Sequence, residues 1–410
     1  MTSLDDVSEF QPYARRDPPW FTTRIRLNWL ARWVTRRENE RDSLGFYTAW
    51  VAIPQRPTTG TDFPLVRPDG TERFGMGLMG PLVFEPYLRP MVWGGRSLGD
   101  LFGKRLPDDG PYGESWELSG HPHHVSLVAD GPLRGQSLAD LCAQHPREVF
   151  GEAIPPGSRF PLLVKLLDCR DLLSIQVHPD DALAPRLAGE PSGKTEAWVV
   201  LEAEPTARIC AGLKPGVTRA EVERALADGT LDRCLHDFTP RPGDCIFLPA
   251  GTIHAVGGGV VLAEVQQTSD ATFRLYDWGR VGPDGRPRQL HVRESLEAIR
   301  WDFGPVDPVV PEVIPDTASG ARAERLVECS YFGLDRLLLG AENPAGPWGR
   351  PTIWLVVSGA ADLRTLDGAS RTFRRGETVL IPATAEGPAW RPVAGVGDTT
   401  LLRVRLPAGA

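Results

Sequence analysis

Residues 242–254 read PGDCIFLPAGTIH, and residues 375–387 read RGETVLIPATAEG. Each stretch holds a glycine, five residues ending in aliphatics, and a proline: Gly243 to Pro249 in the first, Gly376 to Pro382 in the second. Only the first continues to a further glycine and a histidine, Gly251 and His254. Five residues between two turn-forming residues suit one short strand. Each stretch follows a segment in which a tryptophan leads a run of aliphatics, EAWVVLEAE from Glu196 and TIWLVVSGA from Thr352. The recurrence predicts two related β-barrels, the second lacking the histidine of the first.

The rest of the chain from Pro81 onward agrees. Short apolar runs between Gly/Pro turns, among them GPLVFEPYL, ESWELSG, SLVAD, LLSIQVH, ARICAGL, GVVLAEVQQ and FRLYDW, read as strands. Two segments, SLADLCAQHPREVFG and TRAEVERALADGTLDRCLHDF, have helical spacing, and Thr218 with Glu221 resembles a capping box. The expected fold is mainly β, with a few helical decorations. Residues 81–320 make the first domain in this reading and residues 321–410 the second. Residues 1–80 form an extension expected to be poorly ordered, or to reflect a start codon set too far upstream of Met76 or Met79. Its segment WFTTRIRLNWLARWVTRRENE, with Trp29, Leu30 and Trp33 near one face, reads as a short basic amphipathic helix.

Composition narrows the function classes. A net charge of -8 gives no basic footprint for nucleic acid. No apolar run approaches a membrane span. The six cysteines are scattered without a C-x-x-C pair, which suits a reducing cytoplasm better than a disulfide framework. Of the 45 basic residues only Lys104, Lys165, Lys194 and Lys214 are lysines. In so arginine-rich a chain a lysine marks a place where a side chain that can lose its proton has a use.

The chemistry concentrates in SIQVHPDDALAPRLAGEPSGKTEAW, Ser174 to Trp198. Residues two apart on a strand share a face. Gln176 and His178 therefore point together, as do Lys194 and Glu196, and the four converge if their strands are neighbours. With His254 this set offers two imidazoles, one carboxylate and one amide oxygen, a donor set suited to Zn²⁺.

The Gly-x5-Pro-x-Gly-x2-His segment resembles the second motif of the cupin superfamily, so the predicted barrels are cupin-type jelly rolls. Together with QVHPDD, GKTEAW, EVQQTSDATFRLYDW, WGGRSL and GESWELSGHPH it resembles type I phosphomannose isomerase, strongly over residues 81–300 and weakly beyond. The short interval between Glu196 and His254 resembles the compact bacterial form. The resemblance implies zinc-dependent interconversion of mannose 6-phosphate and fructose 6-phosphate. It places the metal ligands on Gln176, His178, Glu196 and His254, an active-site lysine on Lys194, a second lysine near the pocket on Lys165, and an arginine on Arg274.

Such an isomerisation moves a proton between C1 and C2, and so needs a base. Lys194 is one candidate, since an ammonium buried beside a cation gives up its proton more readily. Glu264 is the other, because GVVLAEVQQ sets Leu262, Glu264 and Gln266 on one face. Arg274 suits a phosphate or a developing enediolate, with Asp270 orienting it. Ser119 and His121 are expected at the pocket rim against substrate, His121 opening the turn HPHH. Trp93 and Trp116 either wall the sugar or pack the core. His145, His236 and His291 read as surface or helical residues. A cupin that binds metal and sugar phosphate without turnover, or a related phosphosugar isomerase, are the alternatives. A monomer or homodimer is expected.

Overall fold

In the computed structural model, residues 79–407 are described apart from 153, 156, 282–284, 315–321 and 347. The amphipathic helix and nearly all of the extension expected over residues 1–80 lie outside the described residues. The first group of strands begins with β1 (Tyr87–Gly95), β2 (Tyr112–His121), β3 (His124–Val125) and β4 (Leu162–Cys169). It continues with β5 (Ile175–Val177), β6 (Glu196–Ala203), β7 (Ile209–Leu213) and β8 (Leu235–Phe238). It ends with β9 (Cys245–Leu248), β10 (His254–Val256), β11 (Val260–Gln267) and β12 (Phe273–Tyr276).

These strands pair antiparallel into two sheets. A seven-stranded sheet runs β1-β2-β4-β11-β6-β9, with β3 paired to β2, and a five-stranded sheet runs β12-β5-β10-β7-β8. Period-two alternation decides what each face meets. Val260 and Leu262 of β11 join Trp198, Val200, Ile246 and Leu248 in a core shared with Ile209, Ala211 and Val256 of the other sheet. The alternate residues Val261, Ala263 and Val265 turn the opposite way. They pack against Ile353, Leu355, Leu380, Leu402 and Val404 from the C-terminal strands. That is why β11 reads as an almost unbroken apolar run: both of its faces are covered. Each such aliphatic side chain removed from water contributes roughly 1.5–3 kcal/mol.

Two more sheets follow. A six-stranded sheet orders Glu312–Ile314, Arg322–Glu328, Gly333–Leu339, Thr399–Arg405, Thr352–Ser358 and Thr378–Ile381. A four-stranded sheet orders Asn343–Pro344, Ala389–Pro392, Ala360–Arg364 and Ser370–Arg374. Trp354, Trp390 and Phe373 stack edge to face in the core of this part. The described chain is thus mainly β, as expected.

The helical expectations need correction in detail. SLADLCAQHPREVFG is two short helices, Leu138–Gln144 and Pro146–Phe150. His145 breaks them with φ -130° and ψ 49°, because the residue before a proline is steered away from the helical region. In the other segment only Arg219–Ala227 is α-helical, and Thr218 and Glu221 do form the capping box. Its remainder closes as a 3-10 turn, Leu231–Cys234, and then β8.

The opening motif folds as read. Gly243 and Gly376 both adopt positive φ, 93° and 85°, and the intervening residues form β9 and the strand Thr378–Ile381. Gly251, at φ 91°, turns the chain toward His254 while its N–H donates to the His178 carbonyl at 2.8 Å. A Cβ there would stand 2.4 Å from Arg300 Cγ. Gly251→Ala is therefore expected to destabilise the fold by more than about 1 kcal/mol and to weaken metal retention. Thermal denaturation with and without chelator reads both effects; an unchanged midpoint would remove this glycine from the account.

Candidate active site

Gln176 and His254 are direct partners across β5 and β10, and Arg274 of β12 stands opposite Gln176 on its other side. Arg274, Gln176 and His254 thus form one row on the five-stranded sheet. Glu196 opens β6 in the seven-stranded sheet, opposite Gln266 of β11. The strands bearing Gln176 and Glu196 are therefore not neighbours, so adjacency is not what brings the side chains together. Their side chains meet across the space between two sheets packed face to face, where inward residues interdigitate. Lys194 lies just before β6, outside the strand.

The geometry is tight. His178 Nε2 is 3.5 Å from Glu196 Oε2, and His254 Nε2 is 3.4 Å from Oε1. Gln176 Nε2 lies 3.3 Å from His254 Nε2. The ligand atoms of His178, Glu196 and His254 fall within 4.8 Å of one another, and all three residues are buried. Both rings are tethered from behind. His178 Nδ1 meets the Ala271 carbonyl at 2.7 Å, and His254 Nδ1 the Thr252 carbonyl at 2.9 Å. A carbonyl only accepts, so each Nδ1 carries the proton and each Nε2 presents its lone pair to the centre.

Electrostatics point the same way. Burial pushes the His254 ring down to about 3 and lowers His178 as well, so both imidazoles are neutral near pH 7. Burial opposes a charged Glu196, but the Lys194 ammonium beside it holds its carboxyl well below the usual carboxylate range. Lys194 Nζ stands 2.9 Å from Glu196 Oε2 and 3.2 Å from His178 Nε2. Even so, neither Glu196 oxygen meets hydrogen-bond geometry. A fully buried carboxylate that faces two imidazole lone pairs, with only the Lys194 ammonium beside it, fits a divalent cation.

The remaining predicted residues divide. Glu264 does face inward, beside Lys165 and Trp198 in register, but it is already engaged. Its Oε1 is 3.0 Å from Lys165 Nζ, and its Oε2 accepts from Trp198 Nε1 at 3.0 Å. Burial works against the Lys165 ammonium, while Glu264, Glu114 and Asp270 together raise its pKa above the ordinary value. Glu264→Gln would strand that ammonium in a buried site and is expected to cost about 3–5 kcal/mol. Chemical denaturation tests this, with Lys165→Met/Glu264→Gln regaining most of the loss.

Asp270 sits 3.6 Å from Arg89 and 3.6 Å from His123, whereas Arg274 Nη1 donates to the Gln289 carbonyl. The hydrogen bonds and ion pairs of Asp270 thus run to partners other than Arg274. Arg274 Nε is buried without a hydrogen-bond partner among the described residues. The Ser119 hydroxyl is spent inside the turn, donating to the His124 carbonyl and accepting from His121 N–H. HPHH is that turn, as expected. His121 Nε2 meets Glu190 at 3.2 Å and lines a cleft of about 500 Å³ with His123, Arg159 and Glu190. Burial opposes ionisation of Asp270, yet the Lys165, Arg89 and Lys194 cations hold its carboxyl below the usual range. Trp93 packs in the core. Trp116 lies beneath the Arg89 and Lys165 cations, at 5.0 and 5.3 Å. His236 pairs with Asp307, and His291 accepts from the Arg274 N–H.

Sequence reasoning missed Glu114, which holds Arg89 at 3.1 Å and accepts from Trp116 Nε1 at 2.7 Å. The signal was present in ESWEL, where Glu114 and Trp116 share a strand face.

Residues 82–195 match the family model of the phosphomannose isomerase type I catalytic domain. Mannose-6-phosphate isomerase ManA of Bacillus subtilis is 33% identical over 306 residues, spanning 74% of this chain and 93% of its own length. The mannose-6-phosphate isomerase of Streptococcus mutans is 40% identical over 219 residues, 53% of this chain and 67% of that protein. The crystal structure of the mannose 6-phosphate isomerase from Bacillus subtilis superposes with a TM-score of 0.72 at 30% identity, covering 80% of this chain and 99% of that one. The fold is mainly β, and its buried His–Glu–His group has the donor atoms to hold a metal ion. The chain belongs to the type I phosphomannose isomerases, which are aldose–ketose isomerases.

Proposed function

We propose that this chain is a zinc-dependent isomerase interconverting mannose 6-phosphate and fructose 6-phosphate by proton transfer through an enediol. The observation that carries the reading is the set of aligned donors. Two Nε2 lone pairs, the buried Glu196 carboxylate and the Gln176 amide converge beside Lys194. Gln176, His178, Glu196 and His254 would hold the metal, which when bound polarises the carbonyl and hydroxyl oxygens of the sugar. Lys194 Nζ is the group that carries the proton between C1 and C2. Glu264 is assigned instead to neutralising Lys165, since both its oxygens face partners already in place. Arg274, in the same row as Gln176, offers its guanidinium to the developing enediolate or the phosphate. The cleft lined by His121, His123 and Arg159 accommodates the sugar phosphate.

We read residues 81–320 as a catalytic cupin-type barrel and residues 321–410 as a degenerate one without ligands. Five of the six free cysteines are buried, which supports a reducing cytoplasmic setting. No described helix is long and apolar enough to cross a membrane. The test is a coupled assay on mannose 6-phosphate, before and after chelation. Turnover lost to chelator and restored by zinc is the expected result. Full zinc occupancy without turnover on any hexose phosphate would replace the isomerase with a binding protein.

A further inference from the structure

Lys194 lies outside regular structure, so something other than a sheet ladder must fix its place. Residues 193 and 195, on either side of it, are both tied to one carboxylate. Asp181 Oδ1 accepts from Gly193 N–H at 2.8 Å and from Gln267 Nε2 at 2.9 Å. The same Gln267 accepts the Thr195 N–H through Oε1 at 2.8 Å. Lys194 N–H itself donates to the Pro179 carbonyl at 3.0 Å, and Ser192 Oγ donates to the Thr268 carbonyl at 3.1 Å. The approach of the two segments is so close that a Cβ on Gly193 would stand 2.6 Å from the Asp180 carbonyl carbon.

The other oxygen of Asp181 reaches across the molecule. Its Oδ2 accepts from Tyr331 Oη at 2.5 Å. Tyr331 lies in the turn joining the strands Arg322–Glu328 and Gly333–Leu339 of the six-stranded sheet. Its neighbour Phe332 is fully buried in the core shared by both groups of sheets, which anchors the turn. Burial opposes ionisation of Asp181, yet hydrogen bonds from Tyr331, Gly193 and Gln267 keep its carboxyl below the usual range. Burial and that carboxylate push the Tyr331 phenol up to about 12, so it remains a donor.

We infer that Asp181 and Tyr331 are positioning residues, through which the C-terminal sheets hold Lys194 against the metal ligands. The inference rests on the proposed isomerase reading for its catalytic meaning. Asp181 is exposed at the surface, so its replacement opens no cavity in the core.

The test compares Asp181→Ala, Asp181→Asn and Tyr331→Phe with the parent protein, each carrying zinc. Asp181→Ala is expected to lower kcat roughly tenfold and Tyr331→Phe about threefold, with KM changed less than about twofold. Asp181→Asn, which keeps an acceptor for Gly193, is expected to regain most of the rate. Amide hydrogen exchange should quicken across residues 188–195 in the alanine and phenylalanine variants, with zinc content and melting temperature unchanged. Unaltered kcat and exchange in Asp181→Ala would overturn the inference. So would a loss that Asp181→Asn fails to restore. If the parent protein turns over no hexose phosphate, the isomerase reading fails while hydrogen exchange still judges the tether.

Discussion

Glu196→Gln is expected to release the metal and to lower kcat by roughly a thousandfold or more, a loss of about 4 kcal/mol of transition-state stabilisation. Glu196 is fully buried and supplies the one negative charge of the proposed ligand set. Its partners His178 and His254 are held neutral by burial, and Gln176 carries no charge. An amide in its place keeps the shape and removes the charge that offsets a divalent cation. The change also takes from Lys194 the carboxylate 2.9 Å away, which leaves a buried ammonium beside two imidazoles. Elemental analysis after gel filtration reads the metal, and the coupled assay reads turnover. A variant that keeps both would show that the cluster is structural and that the chemistry lies elsewhere.

Lys194→Met is expected to spare metal binding while lowering kcat by roughly 10²–10⁴, the usual scale for losing a general acid–base group. KM should change little, because the loss falls on the proton-transfer step rather than on the grip on substrate. Lys194→Arg should fare no better, since a guanidinium does not release a proton in this range. Zinc should be retained, because Lys194 is not one of the proposed ligands. The informative contrast is with Glu264→Gln. Wild-type turnover in Lys194→Met with near-complete loss in Glu264→Gln would transfer the proton to the carboxylate.

Much of this site was legible in the sequence because strand parity is local. Gln176 and His178, or Leu262, Glu264 and Gln266, needed only the period of two to be placed together. Pro-x-Gly-x2-His was equally readable, as its turn is built from residues whose backbone limits are known. Partnership across the sheets was not legible. Nothing near Glu196 in the chain says that it faces β5 across the space between two sheets rather than beside it. Nor does the sequence say that Glu264 spends its charge on Lys165, for that pairing depends on β4 and β11 being neighbours. Asp270 shows the same limit from the other side. Four residues from Arg274, it was read as that residue's partner, yet the fold sets it against Arg89 from β1 and His123 from the rim turn. The helical spacing of residues 137–151 was legible too, and the proline after His145 divides it into two helices.

The scarcity of lysine has a practical consequence once the side chains are placed. Lys165 and Lys194 are 3% and 5% exposed. Lys104 is half-buried, donating to Glu117 at 2.6 Å and to the Gly376 carbonyl at 2.9 Å. Lys214 alone among the four is exposed, at the end of β7. An acylating label applied to the native protein thus meets one open side-chain amine, besides the chain terminus. Amine coupling would therefore direct side-chain labelling to Lys214, without engineered cysteines.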